Sequence, residues 1–101
     1  MVDVEQEIIA CVDKVLTDVL GEFAKRAILI SIKEKGITLT DIISQPEKFM
    51  EGLRSVFGSG AGVLEKAFIF ELGNHFKVDS LYNNTHLSFP ELVGRIRNHP
   101  S

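Results

Sequence analysis

The sequence predicts an all-α fold, a compact bundle of four main helices plus one short helix within a single domain, residues 1–101. Three observations carry that expectation. Apolar residues recur at three- and four-residue spacing through most of the chain. Serine, proline and glycine fall where those periodic segments begin and end. Only one stretch, "ILISI" at 28–32, reads as a strand, and a lone strand has no neighbour to satisfy its backbone. With 101 residues, 45% hydrophobic and 25% charged, the chain builds one core and is not disordered.

The first helix is expected over residues 3–20. Val4, Ile8, Cys11, Val12, Val15, Val19 and Leu20 share a side and leave the acids on the other. Asp3 is placed to cap it, with Gln6 returning three residues on, and Gly21 allows a break. In "EFAKRAILISIKEKG", Phe23, Ala24, Ala27, Ile28, Ser31 and Ile32 give a helical face, and Gly36 is a natural stop. The middle of this helix is nearly all apolar, which predicts a central place in the fold. A short helical turn is expected at 40–43.

Ser44, Pro46 and Glu47 then read as a start signal. The serine accepts from the third helical amide, Glu47 reaches back to the serine amide, and proline fits the first turn. Phe49, Leu53, Val56 and Phe57 form the stripe of that helix, and Gly58 ends it. Next comes the longest stripe: Leu64, Ala67, Phe68, Leu72 and Phe76, broadened by Val63 and Phe70. Together these segments place the core at about 3–77. A loop is expected at 78–87, and Ser88-Phe89-Pro90-Glu91 repeats the start signal before a short last helix at 88–98.

The glycine-rich stretch "FGSGAG" between two of these helices poses a chemical question. A phosphate loop needs lysine and then serine or threonine after its last glycine, but Gly62 is followed by Val63-Leu64. A dinucleotide fingerprint needs a preceding strand and GxGxxG, whereas this is GxGxG after a helix. The reading that explains more is a structural corner made by Phe57, Gly58, Gly60, Ala61 and Gly62, with a weak anion site at the exposed helix N-terminus as the alternative. Gly58 supplies a positive φ, Ser59 caps the next helix, and small residues at 60–62 allow close approach to a neighbour.

Catalytic, cofactor and metal sites are not predicted. His75, His86 and His99 form no pair at helical spacing, as two-histidine metal sites require. Glu65 and Glu71 flank an apolar stripe and read as solvated or ion-paired. Cys11, the single cysteine, reads as a small core residue.

Nucleic acid is not an expected partner. The net charge is −3, and the helix after the corner offers only Lys66 and Lys77 beside Glu65 and Glu71. Arg95, Arg97 and His99 form a short basic end, read as complementing a helix C-terminus. No membrane contact is expected, since no apolar run approaches ~18 residues and the N-terminus is acidic, so the expected compartment is the cytoplasm. Acids before residue 25 and bases from 25 to 35 predict two adjacent helices of complementary charge, with partner docking on the acidic face as the alternative.

Phe68, Phe70 and Phe76, with Ile69, wrap further around their helix than one neighbour covers. Either that helix is central or part of it meets another subunit, as in a homodimer. The candidate interaction surface is Phe68, Phe76 and Leu81, for a protein partner. The expected function is a non-catalytic signalling or regulatory domain acting by protein–protein interaction. The alternatives are a transcription-associated domain touching DNA and a small-ligand sensor with a pocket between helices.

The order of landmarks also resembles a family of small archaeal domains found alone or as output modules of two-component response regulators. The shared run is proline-glutamate, a phenylalanine, a leucine, then "FG-x-GA-x-x-LE". It is matched by Pro46-Glu47, Phe49, Leu53, Phe57-Gly58, Gly60-Ala61 and Leu64-Glu65, and the similarity spans residues 5–76. The resemblance implies a helical signalling or regulatory domain with no assigned catalytic residue.

Overall fold

Helix α1 (Val4–Leu20) begins where Asp3, in extended conformation, accepts the Glu5 amide at 3.0 Å. No bond returns from Gln6, so the cap is single rather than reciprocal. The computed structural model describes residues 3–77 and 87–98, and all regular structure among them is helical. Gly21, with φ 85°, ends α1 and starts α2 (Glu22–Lys33), which confirms "ILISI" as helix. Gly36 (φ 81°) turns the chain after α2. A four-residue α3 (Asp41–Ser44) comes next, started by the Asp41 carboxylate, which accepts the Thr38 amide at 2.8 Å.

Helix α4 (Pro46–Phe57) has proline in its first turn as expected, but the Ser44–Glu47 box does not form. Ser44 is the last residue of α3, and its amide already donates to the Thr40 carbonyl at 3.4 Å. Gln45 occupies the cap position without a side-chain bond.

At the corner, Gly58 takes φ 60° and ψ −132°, a conformation essentially closed to other residues, and ends α4 as the sequence predicts. Ser59 does not cap the next helix. Residues Gly58–Gly60 wind as a 3₁₀ turn that runs straight into α5 (Ala61–Phe76), leaving no extended cap residue. Nor do the small residues at 60 and 62 serve close approach, because a side chain at Gly62 would meet nothing and one at Gly60 only Phe57 at ordinary contact. Of the three, Ala61 alone is buried.

The close approach lies elsewhere, at Gly52 in α4. A Cβ there would sit 2.7 Å from Ile37 Cδ1 and 3.6 Å from Ile32 Cγ2. The bare backbone lets the C-terminal end of α2 and the turn after it lie flat on α4, and Ile32 is fully buried there.

The last helix, α6 (Phe89–Asn98), carries the reciprocal box: the Ser88 amide donates to Glu91 Oε1 at 3.2 Å, and the Glu91 amide to Ser88 Oγ at 3.3 Å. Of the predicted loop, residues 78–86 lie outside the described residues; Leu87 is buried.

Packing is organised by α1, α4 and α5. The most extensive helix–helix contact is between α1 and α5, while α4 touches α2, α3, α5 and α6. Phe49 of α4, Phe68 of α5 and Phe89 of α6 are fully buried and meet as a triad. Their ring centroids lie 6.4, 6.4 and 5.3 Å apart, in the tilted arrangements that aromatic quadrupoles favour. Around them stand Ile8, Val12 and Leu16 of α1, Leu64 and Leu72 of α5, and Leu92 and Val93 of α6.

Helix α2 is peripheral rather than central. Only Lys25 and Ile32 are buried along it, while Phe23 and Ala27 of the predicted face point outward. The reason is that α2 is apolar on two sides, and the side with Ala24, Ile28 and Ile32 turns inward together with Lys25. Val19, also assigned to an inner face, is exposed; Leu16 takes the buried position.

Two stability measurements check this packing. Phe68→Ala opens a cavity in the triad and lowers the unfolding free energy, read from urea denaturation, by about 3–5 kcal/mol. At Gly52, alanine is accommodated within about 1 kcal/mol, because Ile37 Cδ1 is the movable end of a side chain. Gly52→Val overpacks the site and costs about 1–3 kcal/mol in the same assay.

Candidate interaction surface

The polar residues divide into those that hold helices together and those that face solvent. Lys25 is the most enclosed charge. Its ammonium lies 3.1 Å from Asp13 and 3.2 Å from Glu22, and donates to Thr17 Oγ1 at 3.0 Å. The Asp13 contact, ahead of that from Glu22, holds its pKa above the ordinary lysine value against the opposing effect of burial. The predicted charge complementarity of α1 and α2 therefore exists, but through a nearly buried lysine rather than exposed pairs.

His75 is exposed at a helix end, as expected, and there also meets Glu7 of α1 at 2.8 Å and stands edge-on to Phe76. Lys14 of α1 reaches Glu71 of α5 and Asp18, both at 3.4 Å. Glu65 accepts the Phe89 amide at the start of α6 at 2.9 Å and faces Arg54 at 3.8 Å. Arg97 donates to the Ile43 carbonyl at 3.0 Å and pairs with Glu5 at 3.2 Å, fixing the other end of α6. Cys11 is buried, and burial pushes its thiol pKa up, away from the reactive thiolate.

Among the described residues, no three His, Cys, Asp or Glu side chains cluster where a metal ion could be held. A surface cleft of about 280 Å³ is lined by Asp3, Val4, Glu5, Arg97 and Asn98, polar groups around one valine. No helix among the described residues is long and apolar enough to cross a membrane.

Against this stands the apolar surface. On α2, Phe23 is 90% exposed and Ile30 62%, with exposed Ala27 between them. The spacing i, i+4, i+7 places all three on one stripe. On α5, Val63 is 67% exposed and Phe70 66%, seven residues apart on the side opposite Leu64, Phe68 and Leu72.

The predicted surface residues separate accordingly. Phe68 is a core residue and not a docking one, because its ring fills the aromatic triad. Phe76 is half-buried against the core, and Leu81 lies outside the described residues, as do His86 and His99. Phe70, which the sequence treats as widening a stripe, and Phe23, which it places inside, are the exposed phenylalanines among the described residues. Their signal was the second apolar register on each helix.

Comparison of the chain with protein-family models, with curated proteins and with solved structures finds no match.

The anchoring of α6 is pH-dependent. The Ser88 amide, and then its hydroxyl, hold the Glu91 carboxyl below the ordinary value of 4.5. A depressed folded pKa adds stability above the unfolded value, and that stability is lost as pH falls through the folded one. The stability gap between wild type and Glu91→Gln is therefore present at neutral pH and closes below 4.5, as thermal denaturation over a pH series will read.

Proposed function

We propose that this chain is a non-catalytic helical domain of cytoplasmic signalling or regulation that works by binding another protein through an exposed apolar helix face. The observation that carries the reading is the division of labour among the side chains. Groups suited to acid–base or ligand chemistry (His75, Glu65, Glu71, Lys25) are engaged in bonds that join helices. Large apolar side chains stand in water instead, and a contiguous exposed apolar face is a common mark of a protein contact. Aromatic rings such as Phe70 are among the residues enriched at such contacts.

Two arginines favour protein over nucleic acid as partner. Arg54 faces Glu65, and Arg97 is held by Glu5 and the Ile43 carbonyl. The resemblance carried by Phe57-Gly58, Gly60-Ala61 and Leu64-Glu65 points toward the same class of role.

The test is capture from lysate of the source cell, with wild type and Phe70→Glu immobilised side by side. The expected result is a protein retained by wild type and reduced at least tenfold by the variant, whose fold is unchanged because Phe70 is exposed. Micromolar affinity for duplex DNA that falls steeply with salt would replace this reading.

A further inference from the structure

We infer that the outer stripe of α2 is a contact between two copies of this chain, their α2 helices packed antiparallel about a two-fold axis beside Ala27. The inference deepens the reading that the exposed apolar faces serve protein contacts, and rests on it.

The first argument is shape. Phe23, Ala27 and Ile30 run large, small, large along a twelve-residue helix. In an antiparallel pair, Phe23 of each copy lies beside Ile30 of the other, and the two alanines meet at the crossing. A small residue there lets the axes approach to about 8 Å. The face is thus complementary to itself, as a two-fold contact requires.

The second argument is charge. On a helical projection, Glu22 and Lys33 flank the stripe on the same side, at opposite ends of α2, and both are exposed. An antiparallel pair sets each Glu22 against the other copy's Lys33, whereas a parallel pair puts the two copies' charged flanks on opposite sides of the seam, where they do not meet. Glu22 has an oxygen to offer, because its contacts with Lys25 and Arg26 both run through Oε1. Antiparallel helix dipoles add to the preference.

The Val63–Phe70 face of α5 lacks the charged ends of this arrangement. It repeats the large, small, large run through Ala67, and Lys66 stands where α2 has Arg26, but Gly62 and Gly73 take the places of Glu22 and Lys33, so no acid and base stand at its ends. A single helix pair falls at the small end of specific interfaces, so the dimer is weak and concentration-dependent.

Sedimentation equilibrium on the full chain, from micromolar to millimolar concentration, tests this. Wild type is expected to rise from 11.2 kDa toward twice that mass. Phe23→Glu remains monomeric, and Phe70→Glu dimerises like wild type. Glu22→Lys and Lys33→Glu each weaken association severalfold, and the double swap restores it; circular dichroism verifies that every variant folds.

A wild type that stays monomeric throughout, or a Phe23→Glu chain that dimerises normally, overturns the inference. So does a double swap no better than the single reversals, since the antiparallel pairing would then be wrong. These readouts use purified chain and no partner, so self-association can fail while capture through Phe70 succeeds, and the reverse.

Discussion

The fold depends on three phenylalanine rings. Phe49, Phe68 and Phe89 come from α4, α5 and α6, and bring the three helices together at one point of the core. Each ring brings a large apolar area out of water, and the tilted geometry adds an electrostatic preference for one mutual orientation. The triad therefore both drives association and limits its angles. Helix α1 closes the core from another side with Ile8, Val12 and Leu16. In a domain of this size the surplus over chain entropy is only a few kcal/mol, so these side chains carry a large share of the margin.

The polar contacts work on top of that core and have a different purpose. Lys25, Glu65, His75 and Arg97 each join a pair of helices at a boundary. The exposed pairs among them, Glu7–His75 and Glu5–Arg97, contribute little to net stability, but they discriminate among ways of stacking similar apolar cylinders. Arg97 illustrates this: its guanidinium caps the end of α3 at the Ile43 carbonyl and meets Glu5 at the start of α1. Only one register of α6 satisfies both.

Much of this was legible in the sequence, and the rest was not for identifiable reasons. The helices, the positive φ at Gly58, proline in the first turn of α4 and the Ser88–Glu91 box are local, set by a few adjacent residues. What escaped depended on which of two faces turned inward. Helix α2 is apolar on both sides, and its inner side is the one bearing Lys25, against simple hydropathy, because Asp13, Thr17 and Glu22 receive the charge. Helix α5 is apolar nearly all round, so Phe68 and Phe70 looked alike although one is core and the other exposed. Gly52 had a signal, a glycine inside a helix, whose meaning needed the neighbour Ile37 to be known.

The double fastening of α6 bears on how the molecule comes into being. Glu65 receives the first amide of α6 and Arg97 grips residues from the far N-terminal half, while Phe89 completes the ring cluster. A nascent chain leaving the ribosome exposes Phe49 and Phe68 before their third companion has been synthesised. Until residue 97 emerges, the growing polypeptide is an unfinished, sticky intermediate. Shielding by the ribosome or a chaperone then matters most until α6 has been synthesised.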